Sequence, residues 1–212
     1  MARLAKRRNF LNLEKDGIER VPVTCTVVGL DLSLSSTGFC LLQGQERTVT
    51  TIKTKPKDAE DCIARVELIC SMILERIPQE VSLICIEDYF VPRKANQVGA
   101  AIGLIELGFI IRHKLKYLGY PFFVVHHGQI KKFATGSGQS PKAIVIREVW
   151  KRWGVDADDD NQADATAMAY LAQALWDVVN GGDETRYYKY QSDTIRTVLR
   201  DRPRFNVEPL SS

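Results

Sequence analysis

A chain of 212 residues has room for one medium-sized domain. With 45% hydrophobic and 26% charged residues it has the make-up of an ordinary globular protein, which excludes disordered, collagen-like and low-complexity classes. No apolar run reaches the roughly 18 residues that a membrane span needs, and Met1 to Asn9 (MARLAKRRN) is not followed by the apolar core of a signal peptide, so no membrane partner and no secretion by that route are expected.

The net charge of +3, from 29 basic and 26 acidic residues, decides nothing about partners unless the charges segregate along the fold. Five cysteines (Cys25, Cys40, Cys62, Cys70, Cys85) form no CxxC pair, are odd in number and sit mostly in apolar segments. That pattern predicts reduced core thiols in a cytosol-like compartment, without a disulfide or zinc framework.

Residues 1–22 carry Arg3, Lys6, Arg7 and Arg8 without a sustained apolar period and read as a basic N-terminal arm, either solvated or gripping nucleic acid. Thr24 to Asp31 is a continuous β-branched apolar run, a buried strand ending in an acid. After the small-residue turn Ser33 to Gly38, Phe39 to Gln43 and Thr48 to Lys53 pair as a hairpin across Gly44. Lys57 to Ile77 spaces Ile63, Val66, Ile69, Cys70, Ile73, Leu74 and Ile77 by threes and fours, the stripe of an amphipathic helix closed by Pro78. Val81 to Ile86 is another apolar strand, ending in Glu87.

Asn96 to Leu118 follows as a long helix whose start, Gly99 to Gly103, is rich in small residues suited to close helix packing. Pro121 to Val125 is the fifth strand. A loop through Gly136-Ser-Gly138 leads to a helix with Ser140 as N-cap, Pro141 in the first turn and Gly154 just past Trp153. The last helix starts at the acidic run Asp158 to Asp160 and continues to Gly181. Residues 182–212 read as a loosely attached C-terminal tail, which leaves residues 23–181 as the domain. The order β-β-β-α-β-α-β-α-α places three antiparallel strands before two parallel crossovers, an α/β fold with a mixed five-stranded sheet flanked by helices.

Asp31 and Glu87 each close a buried strand, at the sheet end where α/β proteins place their sites. Each alone reads equally as strand-end solvation or a turn cap. Asp160, Asn161 and Asp164 lie three and four residues apart, on one face of the last helix. Capping explains at least one of Asp158 to Asp160 but does not require Asp164 in the second turn. Converging carboxylates are costly without a cation, and oxygen donors without histidine or cysteine suit Mg²⁺ or Mn²⁺ rather than zinc.

Gly29-Leu-Asp31-Leu-Ser-Leu-Ser-Ser-Thr-Gly38, Ile84-Cys-Ile-Glu87-Asp-Tyr-Phe90 and Gln162-Ala-Asp164-Ala-Thr-Ala resemble, in this order, three motifs of the RuvC-type Holliday junction resolvases of the RNase H-like superfamily. Gln129-Ile-Lys131-Lys-Phe-Ala-Thr-Gly-Ser-Gly138 with Pro141-Lys142 resembles the family's basic loop segment, especially in its phage-encoded branch. The resemblance covers about residues 24–180. It implies an RNase H-like fold and a crossover junction endodeoxyribonuclease, acting in DNA recombination and repair with two Mg²⁺ (or Mn²⁺) ions per site and leaving 5′-phosphate ends. A homodimer, branched DNA as partner and a cytoplasmic setting in a bacterium or phage-infected cell are implied with it.

Carried over by position, Asp31, Glu87 and Asp164 are the metal-binding and catalytic acids. The family's fourth acid falls on Asn161, so either neighbouring Asp160 swings in or Asn161 serves as a neutral ligand; Asp160 is preferred for its charge. Lys131 and Lys142 match the lysines beside the scissile phosphate, with solvated surface lysines as the plain alternative. Phe90 matches the aromatic that stacks at the junction centre. Tyr89, Phe90, Arg93, Lys94 and Lys132 are candidate DNA contacts, although Tyr89 and Phe90 read equally as core anchors for the following helix.

His126 and His127 invite reading as a general base, as substrate-orienting residues or as structural hydrogen-bonders. Competing functions are an RNase H-like nuclease acting on flaps or RNA-containing substrates, a non-catalytic nucleic-acid-binding module, and an actin-like kinase or ATPase. The chain is too short for the two lobes of the last.

Overall fold

The computed structural model describes residues 25–88 and 98–200. The basic arm, the loop carrying Tyr89, Phe90, Arg93 and Lys94, and residues 201–212 lie outside the described residues. Five strands, β1 (Thr26–Asp31), β2 (Ser36–Gln43), β3 (Glu46–Lys53), β4 (Leu83–Glu87) and β5 (Phe122–Val125), form one sheet in the order β3-β2-β1-β4-β5. The first three are antiparallel neighbours, while β4 and β5 join in parallel, as the order of elements predicts. Gly44, in a left-handed conformation at φ +59°, turns the β2–β3 hairpin.

Strand alternation divides the core in two. Val28, Leu30, Ile84 and Ile86 point to one face, where α1 (Cys62–Leu74) packs through Val66, Ile69 and Ile73 and α2 (Val98–Tyr117) through Leu107, Ile111 and Leu115. Val27, Leu83, Cys85 and Phe123 point to the other. That face is covered by α3 (His127–Thr135), α4 (Lys142–Trp153), α5 (Asp160–Val179) and α6 (Lys189–Arg200). By the same alternation Gly29, Asp31 and Glu87 belong to the α5 face.

Helix α5 is the centre of the second layer. Twelve of its 20 residues are buried, half of them alanine, so its backbone can approach the sheet closely. Two glycines make that possible: a Cβ on Gly29 would lie 2.1 Å from the Ala165 carbonyl oxygen, and one on Gly38 would lie 2.1 Å from that of Asn161. The N-cap is Asp159, whose Oδ1 accepts from Gln162 N at 2.8 Å and whose Oδ2 accepts from Thr51 Oγ1 on β3 at 2.9 Å. The first turn of α5 is thereby tied to the sheet.

Several expectations change. The segment from Gln129, read as loop, is helix α3 up to Thr135, ended by Gly136 at φ +88°. Residues 189–200, read as part of a loose tail, form α6, with Ile195 and Val198 buried in the core and Gln191 Nε2 donating to Phe133 O at 3.2 Å. Helix α1 starts at Cys62, capped by Asp61, rather than at Lys57, and Ile63 is 64% exposed instead of joining the apolar stripe. Gly103, expected to favour packing between helices, sits under Leu34, whose Cδ1 would be 2.7 Å from a Cβ there. The N-cap of α4 is Pro141, one residue later than predicted. All five cysteines are free, and every one except Cys62 is buried.

Candidate functional site

The parallel register pairs Leu30 with Ile86, so the next residues, Asp31 and Glu87, stand side by side at the ends of adjacent strands. The turn after Asp31 is held by Thr37, which is fully buried; its Oγ1 donates to Ser33 O at 2.7 Å and accepts from Ser33 N at 3.1 Å. The close approach of α5 at Gly29 and Gly38 then brings Asp164 over the two strand ends. The three carboxyls act on one another electrostatically: Asp31 feels Glu87 and Asp164, and Asp164 feels Glu87.

Crowding of like charge in a desolvated place sets the protonation. Burial, with the charge of Glu87 next, pushes the Asp31 carboxyl well above the ordinary carboxylate range. The same two causes push Asp164 up to about 6, against the opposing pull of His127 and Lys131. Asp164 Oδ1 is buried and has no hydrogen-bond partner. Such an atom is expensive to leave unpaired, and a proton shared between carboxylates is how such a cluster lowers its charge when no cation does so.

The rim supplies the cations. His127, the first residue of α3, places Nδ1 2.9 Å from Glu87 Oε1, and this bond raises the imidazole pKa. Lys131, one turn further along α3, acts electrostatically on both Asp164 and His127. Lys142, the first residue of α4, bonds Asp160 Oδ2; the contact raises the lysine and lowers the acid. His126 stands apart from the cluster, with Nδ1 3.6 Å from Asp88 Oδ2.

The helix carrying Lys131 and Lys132 is fastened at its far end. Arg152 Nε donates to Ala134 O at 2.7 Å, and Gln191 binds the preceding carbonyl. The arginine's guanidinium lies beside the stacked pair of Tyr188 and Tyr190, 5.0 and 5.5 Å from their ring centroids. The loop after α3 folds back so closely that a Cβ on Gly138 would lie 2.9 Å from Gly128 O, and Thr135 Oγ1 meets Ser140 Oγ at 2.7 Å.

Of the residues singled out by sequence, Asp31, Glu87 and Asp164 are thus brought together, Asp160 and Lys142 form a pair at their edge, and Lys131 faces them. Asn161 is partly buried, its carbonyl against Gly38, and Lys132 is partly buried on α3. The contact of His127 with Glu87 was not foreseen; its only trace in the sequence is the His-His pair directly after an apolar strand. Among the described residues no three acid, histidine or cysteine side chains are gathered as a finished metal cage. The chemistry of the donors nonetheless fits a hard divalent cation: all are carboxylate oxygens, one of them is orphaned, and their mutual repulsion is what such an ion relieves.

The Thermus thermophilus RuvC structure aligns with a TM-score of 0.53 at 22% identity, covering 74% of this chain and 96% of that one. The chain has the RuvC fold. A second structure, T. thermophilus RuvC in complex with Holliday junction substrate, aligns with a TM-score of 0.54 at 19% identity, covering 73% of this chain and 94% of that one. No protein-family model and no curated protein matches the sequence. The RuvC fold accounts for the mixed sheet and its strand order β3-β2-β1-β4-β5. Among the described residues, no helix is long and apolar enough to cross a membrane.

Proposed function

We propose that the protein is a divalent-metal-dependent, structure-selective endodeoxyribonuclease that resolves four-way junctions or other branched DNA by phosphodiester hydrolysis. The observation that carries this reading is the convergence of Asp31, Glu87 and Asp164 into one mutually repelling carboxyl cluster rimmed by Lys131 and Lys142. The structural likeness to T. thermophilus RuvC in complex with Holliday junction substrate supports branched DNA as the substrate class. The Thr-Gly-Ser-Gly segment followed by Pro141-Lys142 supports a phage-type branch of this fold.

Asp31, Glu87 and Asp164 would hold the metal, with Asp160 as fourth carboxylate and Asn161 as the neutral alternative. Two divalent ions, when bound, supply an activated water and stabilise the leaving oxygen, giving 5′-phosphate ends. The protein's own part is to keep these acids within one desolvated corner and to bring positive charge to the phosphate. Lys131 projects from a helix fixed at both ends and serves the phosphate as a positioned cation. Lys142 is held by Asp160 in this structure. Were Asp160 to serve a metal ion, Lys142 would lose this partner and its ammonium would be available to a phosphate.

Lys132 contributes to backbone contacts, and Tyr89, Phe90, Arg93 and Lys94, outside the described residues, are placed by the sequence immediately after the acid end of β4. A homodimer is supported by α2, where Ile102, Phe109 and Tyr117 are exposed along one face of the helix. The test is cleavage of a labelled four-way junction in Mg²⁺ and in EDTA by wild-type protein, Asp31→Asn and Asp164→Asn. Nicking by wild type in Mg²⁺ alone, lost in both variants, is expected; cleavage by Asp31→Asn at the wild-type rate would remove the metal-site reading.

A further inference from the structure

We propose that His127 is a positioning residue for Glu87: its Nδ1 takes Oε1 of the carboxylate, so that Glu87 meets a cation through its other oxygen. The inference rests on the metal-site reading above and adds a residue to it. Three features of the fold place the imidazole. Strand β5 pairs Val125 directly with Glu87, so His127 begins only two residues beyond the acid's own partner. The turn between them is fixed by Gln129 Oε1, which accepts from His126 N at 3.0 Å, so the first residue of α3 cannot drift. The resulting Nδ1–Oε1 distance of 2.9 Å is that of a full hydrogen bond.

A glutamate at a strand end has three side-chain torsions and can offer either oxygen, or both, to an ion. A donor on one oxygen removes that freedom before the ion arrives, and partners of this outer kind typically govern metal affinity about 10- to 100-fold. Lys131 lies one turn along the same helix and also acts on the cluster, but an ammonium on a long stem supplies charge without fixing direction. His127 supplies the direction. Its side chain is 44% exposed, so the ring is anchored through the edge that meets Glu87 and not by packing in the core.

Binding of Mn²⁺ to the full-length, metal-free protein, followed by electron paramagnetic resonance, separates this role from a merely structural one. His127→Leu is expected to weaken Mn²⁺ binding about 10- to 100-fold. His127→Asn, whose amide nitrogen lies near the position of Nδ1, is expected to recover most of the loss. Melting of each variant in EDTA reports whether the fold is retained, and His127→Ala replaces the leucine variant if that one melts early. Wild-type affinity in His127→Leu, or no recovery in His127→Asn, overturns the inference alone. A wild-type protein that binds no Mn²⁺ overturns the metal-site reading and the inference with it.

Discussion

At Asp164 the cost and the use of the site meet in one side chain. Its carboxyl is buried beside Glu87 and titrates near 6, against an ordinary value of 3.8. A carboxyl whose pKa is higher in the folded chain than in the unfolded one binds more protons when folded. Its favourable contribution is therefore complete below about pH 4 and is lost as pH rises through about 6. Each unit is worth about 1.4 kcal/mol, so ionised Asp164 costs the metal-free protein a few kcal/mol at neutral pH. Calorimetry in EDTA should show Asp164→Asn melting above wild type at pH 8 and converging with it near pH 4. Added Mg²⁺ should raise the wild-type melting temperature at pH 8 and leave Asp164→Asn nearly unmoved.

Lys142 is the other residue with a distinct expected outcome. Loss of one positioned cation at a developing phosphate charge costs about 10²–10³ in rate. Lys142→Ala should slow single-turnover junction cleavage by that order while leaving Mn²⁺ binding intact, since its partner Asp160 is then free to ligate. An equal loss of metal affinity in Lys142→Ala would show that the pair holds the acids in place and does not act on the phosphate.

Among the elements, α5 decides whether a site exists at all, because only its close seating on β1 and β2 carries Asp164 to the strand ends. Gly29→Ala and Gly38→Ala would each force a Cβ to within 2.1 Å of an α5 carbonyl oxygen, a contact backbone cannot yield to without moving the helix. Overpacking of this kind costs about 1–3 kcal/mol or more. Denaturant unfolding should show both variants well below wild type. Gly44→Ala, at φ +59° with nothing within 4 Å of the new Cβ, should lose only the roughly 1 kcal/mol of a left-handed turn residue.

The same scale shows what the sequence could convey. Strand ends were legible because β1 and β4 are unbroken apolar runs stopped by single acids, and α5 because its alanines and acidic cap are both strong local signals. Helix α3 was not, since nine residues containing Gly128 and only Ile130, Phe133 and Ala134 as buried apolar positions give too short a stripe to distinguish from a loop. Helix α6 was missed for a related reason. Three of its five buried residues are polar, Gln191, Ser192 and Thr194 beside Ile195 and Val198, and such a face depends on bonds like that of Gln191 to Phe133 O, which no periodicity reveals. The bond from His127 to Glu87 depends on the β4–β5 register, which two short strands do not announce.

For the whole molecule, the small net charge of +3 conceals a local gathering of charge, with Asp31, Glu87 and Asp164 at one sheet end and Lys131 and Lys142 at the rim. On the opposite layer, α2 leaves Phe109 64% and Tyr117 84% exposed, an apolar face suited to a second copy of the chain. Sedimentation should find a dimer in the wild type and a monomer in Phe109→Asp, with Mn²⁺ binding unchanged, since the acids all come from the other face of the sheet. The central claim is tested most directly by incubating the purified protein and Mg²⁺ with a labelled four-way junction, a flap, a linear duplex and an RNA–DNA hybrid. Paired, symmetrical nicks in the junction with the duplex left intact are the predicted result. Cleavage of the hybrid alone, or of none of the four, would contradict it.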